Sequence, residues 1–127
     1  MNLYNSFKSL ILEVASIDSI VDSIKKKQVC IIYYDGDEPG GRGLRKIEPV
    51  CFGYSKGDNP VLRAWDTEGA SHTGYLGSQR LPGWRLFRVD KILSFRPSGE
   101  KFTEIKPGYN TKGDKGMLKV IINAKFD

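Results

Sequence analysis

Ile20-Val21-Asp22-Ser23-Ile24-Lys25-Lys26-Lys27-Gln28-Val29-Cys30-Ile31-Ile32-Tyr33-Tyr34 decides the fold, because the spacing of its apolar residues changes midway. Up to Lys25, Ile17, Ile20, Val21 and Ile24 recur at i, i+3, i+4 and i+7, the stripe of an amphipathic helix. Phe7, Leu10, Ile11 and Val14 set out the same stripe one segment earlier, which predicts helix over 3–26. Ser16 suits the N-cap of a second helix, while the heptad positions 7, 10, 14, 17, 21 and 24 also run through it unbroken, so one rod and two helices both fit. Lys25, Lys26 and Lys27 complement the negative end of the helix dipole. From Gln28 the helical period is gone. Val29 to Tyr34 is a β-branched run, apolar on both faces, which reads as a buried strand leaving into the turn-rich stretch 35–43.

Working outward, Leu44 to Tyr54 reads as a second strand bent at Pro49. Lys56-Gly57-Asp58-Asn59 is a hairpin turn into a third strand, Val61 to Asp66. On that strand Leu62 and Ala64 face one way, Val61, Arg63 and Trp65 the other. The polar, glycine-bearing stretch 67–83 is long for a loop between strands, a length that often marks a binding element. Trp84 to Val89 and Ile92 to Arg96 follow as strands around Asp90-Lys91. After a turn at Pro97-Ser98-Gly99 come a short strand, Lys101 to Ile105, and a loop to Gly116. Leu118, Val120, Ile122, Ala124 and Phe126 then alternate with Lys119, Ile121, Asn123 and Lys125, a strand with one buried face. Several short strands after one helical segment predict a mainly β, α+β fold: a small β-barrel or a strongly curved antiparallel sheet with a helix packed on it.

The 127 residues fit a single domain, able to bury roughly two-thirds of its unfolded surface. No segment approaches about 18 consecutive apolar residues, and no basic start with an apolar block opens the chain. A cytoplasmic protein is expected, without membrane contact. Cys30 and Cys51 lie in strand-like apolar surroundings, where buried reduced thiols are the expectation. The net charge of +5 is concentrated in the middle. All seven arginines lie between Arg42 and Arg96, a stretch with ten basic residues against five acidic ones. Guanidinium forks match phosphate and carboxylate geometry, so this bias points to anion recognition.

Catalytic and metal patterns are absent. His72, the one histidine, sits in the polar loop with no nucleophile beside it in sequence. Asp35, Asp37 and Glu38 are spaced to attract a divalent cation, but among Gly36, Pro39, Gly40 and Gly41 a solvated turn accounts for them. Gly40-Gly41-Arg42-Gly43 lacks the Gly-Lys-Ser/Thr ending of a phosphate loop. Two separated cysteines and one histidine make no zinc pattern. Neither an enzyme nor a metal or cofactor is expected.

Three strings together resemble the WYL family of small Sm-like β-barrel domains, found in bacterial regulators, defence-associated proteins and some phage proteins. Ile20 to Ile24 through Ile32-Tyr33-Tyr34-Asp35-Gly36 is similar to the family's opening helix and its strand ending in Ile-x-Tyr. Arg45-Lys46-Ile47-Glu48-Pro49 looks like its Arg-x-Val/Ile-x-Pro, and Phe87-Arg88-Val89-Asp90-Lys91-Ile92 is close to its Phe-Arg-x-Asp-Arg-Ile. The resemblance covers about residues 17 to 97. Where the family has Trp-Tyr-Leu this chain has Pro60-Val61-Leu62, and the last string carries Lys91 in place of Arg. On this resemblance residues 1–27 are a helical segment, 28–105 the WYL-like barrel and 106–127 a loop with the C-terminal strand. The chain would be a free-standing version without a helix-turn-helix.

The resemblance implies a non-enzymatic, regulatory sensor that binds nucleic acid, often single-stranded, or a nucleotide-like ligand. Arg45, Arg63 and Arg88, with Lys91, are the candidate anion contacts if sheet pairing makes them converge. Tyr34 and Trp65 are the candidate surfaces for stacking a base. Equally, the two aromatics fit a core, and Asp66 and Asp90 are carboxylates able to pair with the arginines. A second possibility is an oligomeric protein-interaction or structural module, viral in origin, built through the N-terminal helix and the strand after Gly116.

Overall fold

A computed structural model of the protein describes residues 16–36, 42–69 and 83–126. Helix α1 spans Ile17–Lys25 and starts where Ser16 caps it: Ser16 has extended backbone and its hydroxyl accepts the Ser19 N–H at 3.2 Å. A helix running unbroken through Ser16 is therefore excluded, and the expected helix over 3–15 lies outside the described residues. Ile20 and Ile24, one turn apart, are fully buried against the sheet. Lys26 ends the helix, and Lys27 follows with φ 52°, a left-handed backbone usually given to glycine at this place. The Lys27 carbonyl then accepts the Phe102 N–H at 2.9 Å, tying the helix end to the far end of the sheet.

The sheet is antiparallel throughout. Its strands are β1 (Gln28–Asp35), β2 (Arg42–Tyr54), β3 (Pro60–Gly69), β4 (Gly83–Arg88), β5 (Ile92–Lys101) and β6 (Lys119–Asn123), in the order β4-β3-β2-β1-β5 with β6 also on β2. A 3-10 turn, Val89–Lys91, joins β4 to β5, yet these two edge strands do not pair. The sheet is therefore curved but open, and the closed-barrel alternative is corrected to the curved sheet. Strand β2 is the organiser. β3 lines one of its edges, while β1 covers residues 42–47 and β6 residues 51–54 of the other. Its register shifts between Pro49 and Cys51, where proline supplies no N–H, as the expected bend at Pro49 requires.

Two sequence readings change. Pro97-Ser98-Gly99 is not a turn between strands: β5 runs through it to Lys101, and residues 102–105 are not strand. Between the pairs Cys30↔Pro97 and Gln28↔Lys101, β5 holds two more residues than β1, a bulge that Gly99 allows with φ 95°. An edge strand tolerates proline and a bulge because its outer N–H groups have no partner strand. The last strand is also shorter than its alternation, and Leu118 and Val120 are exposed while Ile122, Ala124 and Phe126 pack on the core.

One face of the sheet, with Ile32, Ile47, Leu62, Ala64, Phe87 and Phe95, forms the main core together with α1. Each of the fully buried Ile, Leu and Phe side chains contributes about 1.5–3 kcal/mol. The chain after β5 returns across the opposite face of β3 and β4. Trp84 donates its indole N–H to the Pro107 carbonyl at 2.6 Å, Arg63 pairs with Asp114 at 2.8 Å, and Lys106 pairs with Glu48 at 3.2 Å. Cys30 and Cys51 are buried and reduced, as expected. Among the described residues no helix is long and apolar enough to cross a membrane.

Candidate ligand-binding site

Strand pairing sorts the candidate residues by face. Ile32 is opposite Arg45, so Tyr34, two residues on, shares the core side with that arginine. Asp66 and Arg85 join them: Ala64 is opposite Arg85, and Asp66 is two residues from Ala64. Val61, Arg63 and Trp65 lie on the other face with their partners Arg88, Leu86 and Trp84. The shared side of Arg63 and Trp65 is as the alternation predicted. The expected convergence of Arg45, Arg63 and Arg88 on one patch does not occur.

Each of these three arginines has its own carboxylate. Arg45 Nη1 donates to Asp66 Oδ2 at 2.9 Å, with the two side chains 5% and 0% exposed. Arg63 reaches Asp114 and lies 5.2 Å from the centre of the Trp84 ring. Arg88 holds Asp90 through both carboxylate oxygens, at 3.1 and 2.7 Å, in solvent. Trp65 packs edge-on against Trp84. Arg63, with Trp84, thus anchors the returning C-terminal segment while Trp65 braces Trp84, a use that no local pattern announces because Asp114 is far along the chain. Lys91 is in the 3-10 turn, half-buried. His72, Asp37 and Glu38 lie outside the described residues, while Asp35 binds Arg42 at 2.6 Å.

What the fold does gather is a polar cluster on the core side. The Arg45 guanidinium carbon lies 5.2 Å from the Tyr34 ring centre and 5.3 Å from that of Phe87, and the two rings meet edge-on at 4.9 Å. The Tyr34 hydroxyl accepts the Arg88 backbone N–H at 3.1 Å, which fixes the ring from edge strand β4, across β2 and β3 in the sheet order. Asp66 sits between Arg45 and Arg85. Burial pushes its carboxyl above the ordinary carboxylate range, opposed by the Arg45 hydrogen bond and by the charges of Arg45 and Arg85. Burial pulls the Arg85 guanidinium down from its ordinary value, opposed by Asp66 and reinforced by Arg45. Among the described residues Asp66 Oδ1 is buried with no hydrogen-bond partner, an acceptor that a ligand's N–H or O–H would satisfy.

Arg85 was not singled out by sequence. Its signal was present: in the strand Trp84 to Val89, Arg85 shares a face with Phe87, two residues on, as Arg63 does with Trp65.

No protein-family model matches the chain, and no curated protein matches it. Among solved structures it is similar to proteasome accessory factor B/C (PafBC) of Arthrobacter aurescens, with a TM-score of 0.56 and 19% identity. The match covers 78% of this chain and only 14% of that one. PafBC contains a WYL domain. At this identity the likeness concerns the fold, and the helix followed by a curved antiparallel sheet is consistent with a WYL-like fold.

Proposed function

We propose that this chain is a non-enzymatic, WYL-like sensing module that binds a nucleotide-like anion, free or within a single-stranded nucleic acid. One observation carries the reading: Arg45 pairs at 2.9 Å with the buried Asp66 carboxylate, Arg85 of another strand shares that face and its charge acts on the same carboxyl, and among the described residues Oδ1 lacks a donor. Guanidinium groups suit a phosphate, Asp66 Oδ1 suits a base N–H, and the Tyr34 ring adds a flat surface. Because Arg63 and Arg88 are held elsewhere, the reading is of one recessed anion position rather than a track for a long backbone. Among the described residues no nucleophile–base pair stands beside the cluster, and binding itself is the proposed act.

Fluorescence polarisation of short labelled DNA and RNA, with competition by mononucleotides, tests this across a salt series. Affinity should fall as salt rises, and Arg85→Ala should weaken it about tenfold while Arg63→Ala leaves it near the parent. No binding of any of these ligands, or equal binding by Arg85→Ala, refutes the site.

A second reading has its own support. Leu118 is 72% exposed and Val120 and Leu86 are each 37% exposed, apolar surface that an oligomer would cover. Light scattering across protein concentration would show the assembly, and Leu118→Asp should dissolve it.

A further inference from the structure

A separate cavity of about 840 Å³ opens between the end of α1, the segment after β5 and the strand β6. It shares no lining residue with the arginine cluster. Its walls are apolar, with Ile105, Ile121, Ile122 and Phe126, and Ile105 and Ile121 remain 58% and 46% exposed. Three lysines, Lys25, Lys27 and Lys125, stand among the lining residues, and among the described residues no carboxylate does. Lys27 Nζ lies 5.5 Å from the centre of the Phe126 ring, so charge and apolar wall adjoin. Among the described residues none of the three has a recorded ion pair, whereas Lys26, next along the helix, is paired with Asp22 at 3.0 Å.

The polar atoms inside are unequally used. The Tyr109 hydroxyl donates to the Ala124 carbonyl, and Asn123 Nδ2 donates to the Thr111 carbonyl at 2.8 Å. That bond fixes the Asn123 amide, and its Oδ1 is buried with no hydrogen-bond partner among the described residues. A pocket of this size with apolar walls and a few polar groups is the usual form of a small-molecule site. Like ammonium charges around apolar walls select for sign as well as for greasiness, since a neutral or cationic amphiphile gains no Coulomb attraction.

We propose that this cavity binds an amphipathic organic anion: an acidic head held by Lys25, Lys27 and Lys125, and an alkyl body on Ile105, Ile121 and Phe126. The head is a carboxylate or a phosphate ester, and a hydroxyl or amide N–H near it would satisfy Asn123 Oδ1. This goes beyond the nucleotide reading and stands independently of it.

Isothermal titration calorimetry on the full chain, with dodecanoate and with dodecyl phosphate below their micelle thresholds, tests the proposal. Dodecanol and dodecyltrimethylammonium are the neutral and cationic controls. At least one anion should bind at least tenfold more tightly than either control, and the preferred anion identifies the head group. Lys25→Gln/Lys125→Gln, at two exposed positions, should weaken that binding about tenfold with an unchanged melting temperature. Ile121→Asp should abolish it, and Arg85→Ala should bind like the parent. Equal affinity for anions and controls, or an unchanged affinity in the double lysine variant, overturns the proposal. So would amide chemical-shift changes that avoid residues 119–126.

Discussion

Gly53 in β2 and Lys119 in β6 approach so closely that a Cβ on Gly53 would collide with the Lys119 carbonyl oxygen, with Met117 Sδ also within 2.9 Å. The obstruction is backbone, so it cannot swing aside. Gly53→Ala should therefore push β6 off β2 and cost about 1–3 kcal/mol. Urea denaturation gives the loss, and hydrogen exchange should show it concentrated in residues 119–123.

The Arg45–Asp66 pair should respond unequally to its two halves. Arg45→Met leaves a buried carboxylate with a partner removed, and a loss of about 3–5 kcal/mol at neutral pH is expected. Asp66→Asn keeps an oxygen for Arg45 to donate to and removes a desolvated charge, so its cost should be smaller. Replacing both, as Arg45→Met/Asp66→Leu, should recover most of the Arg45→Met loss. Chemical denaturation of the three variants checks the ranking.

The same carboxyl predicts a pH slope. Its folded pKa is raised, so between the ordinary carboxylate value and the folded value the native state binds more protons than the unfolded chain. Asp66's contribution to stability is thus full below that window and declines as pH rises through it. Asp66→Asn should lack the decline, and Arg45→Met should extend it to higher pH. Denaturation midpoints across mildly acidic to neutral buffers will separate the three curves.

Burial pushes both thiols up to about 11, with Asp114 adding to the rise at Cys51 and Arg63 opposing it. Neither should react with iodoacetamide at pH 7.5 while the protein is folded, and both should react once it unfolds. Here too the raised value favours the protonated native state. The thiol contribution is full below the unfolded value and is lost as pH climbs toward 11, which alkaline melting curves of Cys30→Ala and Cys51→Ala would reveal as a shallower decline.

The helix at Ile17–Lys25 and the strand at Val29–Tyr34 were legible because short-range spacing and β-branching govern them, and Pro49 announced its own bend. Pro97-Ser98-Gly99 misled because turn residues carry a second meaning on an edge strand, where a bulge absorbs them. The alternation of Leu118 to Phe126 misled because Leu118 and Val120, at its start, stay exposed while the rest of that face reaches the core. Tyr34 and Arg45 were read as site candidates and do come together. Which side Arg45 would take was not legible: β2 shifts register between Lys46 and Ile47 and again past Pro49, and each shift changes how alternation maps onto the two faces. Arg63 and Asp114 are partners across most of the C-terminal half, a separation at which no local pattern survives.

The double pairing of the second edge of β2 also governs how the molecule can be made. Residues 51–54 wait for partners at 119–123, so during synthesis that stretch must remain an unsatisfied template until almost everything after it has left the ribosome. Non-local closure of this kind is slow. An interrupted translation product lacking the stretch after Gly116 would present a bare strand edge to any other chain nearby, a natural seed for aggregation.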